Sequence, residues 1–208
     1  MTNPDSIVGL ISGRSMSTLA ANSIVQLFHE EPRFGISWLL GIGLYVPHNR
    51  FVVAENFMLS NRSWLLFVDS DIVFQPNDVR ALYAQANGQP GVYGSVYASE
   101  DGNFACGMFD EDDEGTYRPL GALPDRPVRG VVGMGLTLIH RDVFTVTGAS
   151  SFKPYGKSIS EDVAFCSRAR DAGFTPWIVP ASQPGHFKSL VLYSDGRKVS
   201  PVTGGELK

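Results

Sequence analysis

The chain has 208 residues, 43% of them hydrophobic, and a formal net charge of -4. That length and apolar content can bury one sizeable core, and no Pro- or Ser-rich linker divides the sequence, so a single domain over 1–208 is expected. The acidic balance excludes a global attraction to nucleic acid or anionic lipid. The longest nearly apolar run, Gly35 to Val46, is too short to span a bilayer, and the start lacks a basic region followed by an apolar stretch, which predicts a soluble, cytoplasmic protein. Cys106 and Cys166 match no Cys-x-x-Cys pattern and read as reduced structural thiols.

Ile7 to Ser12 reads as a short buried strand, turned by Gly13-Arg14-Ser15 into a helix from about Met16 to Glu30, with Ser15 and Ser17 as candidate caps. A second strand runs from Gly35 to Val46, where Gly41 and Gly43 admit a ligand or another backbone and Pro47 ends the run. Asn49 to Asn61 has near-helical apolar spacing. Trp64 to Val68 then forms a continuous apolar strand ending in Asp69-Ser70-Asp71, with a helix from Asn77 to Ala86 behind Pro76. Alternating strands and helices imply an α/β fold with a mostly parallel sheet flanked by helices, and ligands sit beyond the carboxyl ends of such strands. Ser12, Arg14, Asp69 and Asp71 all fall at those ends.

Farther on, Gly91 to Ala98 is a predicted strand and Ser99 to Pro127 a long excursion. Within it, Phe104 to Phe109 and Thr116 to Leu120 can pair as a small antiparallel hairpin around the acidic turn Asp110 to Glu114, which reads as a solvated tip. It is not a calcium loop, because Gly121 stands where the twelfth-position glutamate belongs. Val128 to His140 is a Gly-rich strand, Glu161 to Ala172 a helix stopped by Gly173, and Thr175 to Val179 a last strand before Pro184-Gly185-His186. Trp38, Trp64 and Trp177 read as core, and His29, His48 and His140 as surface or packing residues.

Asp69 and Asp71 are the most informative pair. Side chains alternate along a strand, so carboxylates two apart point the same way and can share one divalent cation. Asp110 and Asp112 repeat the spacing without the strand. Gly156-Lys157-Ser158 lacks the rest of a phosphate-cradling loop, and Gly41-Ile42-Gly43 and Gly133-Met134-Gly135 each lack the third glycine of a dinucleotide fingerprint. No Gly-x-Ser-x-Gly elbow supports a serine hydrolase.

Four features in order remain: a strand ending near Arg14, a helix opened by Asn49-Arg50, the Asp69-Ser70-Asp71 strand end, and a helix opened by Ser160-Glu161-Asp162. With the Gly-rich strand Gly130 to Ile139 and the run from Glu161 to Ala172-Gly173-Phe174, the chain resembles the GT-A glycosyltransferases, especially the family 2-like inverting enzymes, over roughly residues 5 to 190. The resemblance implies a single-domain GT-A (Rossmann-like) fold. Residues 1–98 would be the nucleotide-sugar-binding half, 99–190 the acceptor-binding and catalytic half, and 191–208 a tail or lid.

It further implies a nucleotide-diphosphate sugar donor, UDP-sugar foremost, bound through Mn2+ or Mg2+, and a hydroxyl acceptor that is a DNA base, a glycan or a small molecule. Asp71 would be the direct metal ligand, Asp69 would contact the ribose or a metal-bound water, and His186 would complete the coordination. Asp162 is the implied catalytic base and Glu161 would bind acceptor or donor sugar, while the same Ser160-Glu161-Asp162 run also suits a plain helix cap. Arg14, Arg50 and Lys188 are candidates for the diphosphate because cationic side chains match phosphate oxygens, with Ser12, Ser70 and Gly135 beside the donor. Compact stand-alone enzymes of bacteriophage genomes, some of which decorate modified bases in DNA in the host cytoplasm, are also similar. For that acceptor, Lys153, Lys157, Arg168, Arg170, Lys188, Arg197 and Lys198 would have to supply a local basic footprint. A sugar-phosphate nucleotidyltransferase would carry a longer basic loop than Ser12 to Met16, and a non-catalytic nucleotide-sugar binding module would have no need of Asp162.

Overall fold

A computed structural model describes residues 5–13, 15–35, 37–43, 45–99, 102–109, 117–154, 160–187, 191–193, 195, 198–199 and 206–207. The first half alternates as its apolar pattern predicts. Strand β1 (Ser6–Ser12) leads to helix α1 (Thr18–Glu30), β2 (Trp38–Ile42) to α2 (Val46–Leu59), and β3 (Trp64–Asp69) through the short β4 (Ile72–Val73) to α3 (Pro76–Ala86). The second half holds β5 (Val92–Ser95), β6 (Cys106–Phe109), β7 (Tyr117–Pro119), β8 (Val128–Arg129), β9 (Val131–Val132) and β10 (Leu136–His140). Helices α4 (Arg141–Thr147) and α5 (Glu161–Asp171) follow, then β11 (Pro176–Val179) and β12 (Gly185–Phe187). The last described strands are β13 (Val191–Leu192), β14 (Lys198–Val199) and β15 (Glu206–Leu207), within the stretch expected to be a tail or lid.

The main sheet has the order β2-β1-β3-β10-β5-β11-β8. β2, β1 and β3 pair in parallel, as do β5 and β11, while β10 lies antiparallel between β3 and β5. Side chains of β3 alternate between two cores, which is why its sequence is apolar without a break. Leu65 and Phe67 pack with Val53 and Phe57 of α2, Phe144 of α4 and Phe165 of α5. Trp64, Leu66 and Val68 pack on the other face with Ile24 and Leu27 of α1 and Val79 and Leu82 of α3. The architecture is therefore the expected α/β sheet between helical layers. The predicted hairpin is present as β6 and β7, which with β9 make a three-stranded antiparallel sheet, and Asp110 to Thr116 lies outside the described residues.

Local expectations needed correction in several places. α2 starts at Val46 and carries Pro47 in its first turn, where a missing N–H costs nothing, so Pro47 opens a helix, and the strand it was expected to stop has already ended at Ile42. The first turn of α2 comes so close to β2 that a Cβ at Gly41 would lie 2.6 Å from the Asn49 carbonyl oxygen. Gly43 has φ +150, and its carbonyl accepts a hydrogen bond from Asn49 Nδ2. Gly41 in β2 and Gly43 just after it thus make room for the first turn of α2. Val128 to His140 is three strands rather than one, because only β10 joins the centre of the main sheet. Trp38 is not core: it sits on the edge strand β2, 59% exposed. Trp64 is buried, and Trp177 is half-buried with Arg129 over its ring.

Candidate active site

The site lies at the carboxyl ends of β1 and β3, where the antiparallel β10 begins. In the β1–β3 register Ile11 faces Asp69, so Ser12 stands beside the Asp69-Ser70-Asp71 turn. The Ser70 N–H donates to the Ile11 carbonyl at 2.9 Å, and Ser17 N–H, at the start of α1, donates to the Ser70 carbonyl at 3.1 Å. Ser12 Oγ donates to the Ser15 carbonyl at 3.2 Å. Asp69 N–H donates to the Gly135 carbonyl at 2.9 Å, which fixes the first residue of the metal motif to the turn before β10. Arg14 and Lys188, both expected at the donor phosphates, lie outside the described residues.

Asp69 and Asp71 meet different side chains. The strand ends at Asp69, and the turn that follows sends the two carboxylates to different partners. Asp69 is held by Arg50, whose Nη1 and Nη2 donate to Oδ1 and Oδ2 at 3.1 Å each. Arg50 was expected at the diphosphate, but it is only 2% exposed and its guanidinium belongs to carboxylates. A buried charge must be paired, and this one faces three acids: Asp69, Glu161 at 3.7 Å from Nε and Asp162 at 3.9 Å. Burial works against its charge, yet Asp69 foremost, then Asp162 and Glu161, outweigh burial and raise the guanidinium above its ordinary value. Arg50 therefore orients the acidic cluster.

Asp71 meets His186 instead, with Oδ2 and Nε2 3.1 Å apart. The two residues are 115 apart in sequence and are brought together because β12 pairs antiparallel with β4, placing His186 opposite Ile72. His186 Nδ1 is 2.9 Å from the Ala98 carbonyl, an acceptor, so Nδ1 carries the proton and donates. In that tautomer Nε2 and the Asp71 carboxylate are two acceptors face to face, and a cation beside them would be favourable to both. The donor set, one carboxylate and one imidazole oriented through its other nitrogen, is of a kind that suits a divalent cation. Among the described residues no cluster of three or more His, Cys, Asp or Glu side chains is placed to hold a metal alone.

The Ser160-Glu161-Asp162 run divides its labour. Ser160 is the N-cap of α5, its Oγ accepting from Val163 N–H. Asp162 is thereby released from capping and reaches across to the Gly-rich turn, where Oδ2 accepts from Met134 N–H at 3.3 Å. Its Oδ1 is buried without a hydrogen-bond partner, while the side chain as a whole keeps 25% of its surface. Burial foremost raises this carboxyl, to about 7; Arg50 opposes the rise, and Glu161 and Asp69 add to it. Asp162 borders a cavity of about 360 Å³ between the start of α5 and the sheet of β6, β7 and β9.

Sequence reasoning missed Tyr97 altogether. It is buried, and its hydroxyl accepts from Gly135 N–H at 2.9 Å, while its ring stands edge-on to His186. A Cβ at Gly133 or Gly135 would meet that hydroxyl at 2.5 or 2.7 Å, which explains Gly133-Met134-Gly135 better than a cofactor does. The spacing of two glycines was the available signal, but nothing in it pointed to a tyrosine. Both cysteines are buried free thiols, as expected, with Cys106 pushed up to about 12 by burial.

The fold so described is a mixed, mostly parallel seven-stranded α/β sheet flanked by helices, with small antiparallel sheets beside it. A comparison with solved structures gives a particular match: the crystal structure of A197 from STIV is similar with a TM-score of 0.68 at 18% identity, covering 97% of each chain. At that identity the likeness shows the fold alone. No protein-family model and no curated protein matches the sequence. Among the described residues no helix is long and apolar enough to cross a membrane.

Proposed function

We propose that the protein is a glycosyltransferase that moves a sugar from a nucleotide-diphosphate donor, a UDP-sugar first among them, to a hydroxyl acceptor with inversion at the anomeric carbon. The observation that carries this reading is Asp162: a carboxyl raised to about 7, held off its own helix and facing a cavity beside the acidic cluster. A general base works best when its pKa lies near the operating pH. Asp71 and His186 would hold Mn2+ or Mg2+, which binds the donor diphosphate and offsets its charge as it leaves. The acceptor oxygen forms its bond to the anomeric carbon as the bond to the diphosphate breaks. That electron pair departs with the diphosphate, and the acceptor proton passes to Asp162. Arg50 keeps Asp69 and Asp162 in register, Glu161 faces the sugar, and Ser12, Ser70 and Gly135 border the donor. Arg14 and Lys188 are assigned to the phosphates by their place in the sequence.

Thermal unfolding with UDP, GDP, CDP and TDP, each with and without Mn2+, tests the donor half. A ligand at a hundred times its dissociation constant adds about 2.7 kcal/mol of stability. One diphosphate should raise the midpoint only with metal, and Asp71→Asn should remove the effect. If no diphosphate stabilises the wild-type protein, the glycosyltransferase reading is lost.

A further inference from the structure

We infer that the protein associates with a second copy of itself through strand β2, so that two seven-stranded sheets join into one across a two-fold axis at Leu40. The inference concerns the free edge of the main sheet and does not depend on the proposed transfer reaction. The sheet ends at β8 on one side and at β2 on the other. β8 is two residues long, follows Pro127 and carries the exposed Arg129, all features that discourage another strand from adding. β2 has none of them: it is five residues long, and no charged side chain stands between Arg33 and Arg50. A long, uncharged, apolar edge is a template for strand addition.

The backbone of β2 sets the register of the pairing. Gly43 N–H donates to the Ser12 carbonyl at 3.1 Å, so the backbone groups of Leu39, Gly41 and Gly43 turn toward β1. Successive residues of a strand alternate, which turns the N–H and C=O of Trp38, Leu40 and Ile42 outward, where no other strand of the described residues meets them. These three residues are symmetric about Leu40. An antiparallel copy centred there sets Leu40 opposite Leu40 and Trp38 opposite Ile42, and every one of these pairs can exchange both backbone hydrogen bonds.

The side chains agree with that register. Leu39 and Gly41 face α2, whereas Trp38, Leu40 and Ile42 stand on the α1 face, 59, 48 and 66% exposed. Val25 of α1 and Tyr45 are exposed nearby, and Trp38 and Val25 line an apolar cleft of about 430 Å³ with Leu10, Met16, Ile24 and Phe28. An aromatic side chain carries about 150–250 Å², so these five exposed residues leave on the order of 500 Å² of apolar surface per copy, the size of patch that marks an interaction site. Two such surfaces with their paired backbones reach the roughly 1,000 Å² that a stable interface needs.

A second copy fits this surface because the surface is its own complement. Across the two-fold axis each apolar side chain meets an apolar side chain on the same face of the joined sheet, and no charge is left unpaired between the strands. A lipid surface, the other cover for an apolar face, is held by cations around that face, and the stretch between Arg33 and Arg50 supplies none in a chain of net charge -4. Because the two β2 strands run antiparallel, the carboxyl ends of β1 and β3 lie toward opposite ends of the joined sheet. Each candidate site is then built within one protomer, and pairing and transfer are separate properties.

Sedimentation equilibrium of the full-length protein, from low micromolar to submillimolar concentration, should show reversible association to twice the chain mass and no further, since pairing uses the free edge of both copies. Leu40→Lys sets two ammonium groups face to face on the axis and should weaken association at least tenfold. Leu40 is half exposed, so the variant should keep the wild-type far-ultraviolet circular dichroism, which separates lost pairing from lost fold. The register is tested by cross-linking: a short bis-maleimide should join Leu40→Cys to its own copy and should not join Leu59→Cys, exposed at the end of α2, while the buried Cys106 and Cys166 stay unreactive. If the lysine variant fails to fold, the cross-link decides alone. A protein that stays monomeric, assembly beyond two copies, association that a folded Leu40→Lys leaves intact, or equal cross-linking of the two cysteine variants overturns the inference. Co-sedimentation of a monomeric protein with phosphatidylcholine vesicles also overturns it and gives the face to lipid.

Discussion

At the scale of the residue, the structure gives the cap of α5 to Ser160 and leaves Asp162 to an N–H of another element. Acids in the first turn of a helix are favoured by the helix dipole whatever else they do, so the string Ser160-Glu161-Asp162 favours a base, as the resemblance implies, while still suiting a cap. The answer depends on which backbone N–H each side chain meets: Ser160 takes Val163 N–H, and Asp162 takes Met134 N–H from another element. Only long-range packing decides that. Two consequences follow for pH. As a base Asp162 must be ionised, so the transfer rate should rise with pH through about 7 and then level off, and Asp162→Asn should remove both the activity and this limb of the profile. For stability the sign is the reverse. The folded carboxyl holds its proton up to about 7, whereas the unfolded one loses it near the ordinary carboxylate value. Its contribution is thus fully present below that ordinary value and is lost as pH rises through about 7. Asp162→Asn, which cannot ionise, should therefore melt higher than wild type at pH 8, by on the order of 1 kcal/mol or roughly 2–4 °C, and that advantage should shrink at pH 5 and vanish only below the ordinary carboxylate value. A calorimetric pair at the two pH values checks it, and a lower midpoint for the variant at pH 8 would remove the claim that burial holds this carboxyl up.

At the scale of the element, α2 depends on a residue no periodicity could reveal. Arg141, at the start of α4, spreads its guanidinium over the last carbonyls of α2 and the turn beyond it: Nη2 meets Phe57 O at 3.1 Å and Nη1 meets Met58 O at 3.1 Å in the helix, and Nε meets Arg62 O at 2.7 Å after it. Its charge also lies over the Phe57 ring and favours the negative end of the helix. Because α2 carries Arg50, this clamp fixes one end of the element that orients the acidic cluster. Arg141→Met should cost about 2–4 kcal/mol, since several charge-assisted bonds to buried carbonyls go unmade at once. Urea unfolding should show a lower midpoint, and Arg141→Lys, which keeps the charge but not the planar fork, should recover less than half of the loss. An unchanged midpoint for the methionine variant would mean that solvent replaces the clamp. The elements that were legible in sequence, α1, β3, α3 and α5, are those with a long apolar period or a strong cap. α4 was not, because seven residues give too little period, and its cap is the Nδ1 of His140, a residue type that gives no capping signal in sequence.

At the scale of the whole molecule, the sheet's main departure from a parallel α/β pattern is what assembles the site. A parallel strand between β3 and β5 would end at the carboxyl edge; β10 runs the other way, so it begins there and delivers the Gly133 to Gly135 turn to Asp69, Tyr97 and Asp162. Strand direction is not encoded in any local pattern, and this is why the Gly-rich stretch was recognisable while its partners were not. A second long-range event, the pairing of β12 with β4, carries His186 to Asp71. That contact was anticipated from the order of motifs, but its geometry adds a specific expectation. His186 is oriented by the Ala98 carbonyl through Nδ1, so Nε2 is the atom offered to a cation. His186→Gln should keep a polar group beside Asp71 yet replace a fixed imidazole with a flexible amide, weakening Mn2+ binding by roughly 10–100-fold, the usual cost of disturbing an oriented ligand. In a titration of Mn2+ against the protein saturated with the stabilising diphosphate, the half-point for the rise in melting temperature should move upward by that factor while the full rise is still reached at high metal. A half-point that does not move would assign the Asp71–His186 contact to an ion pair between β4 and β12, with His186 carrying its second proton and the metal held by Asp71 and the diphosphate without it.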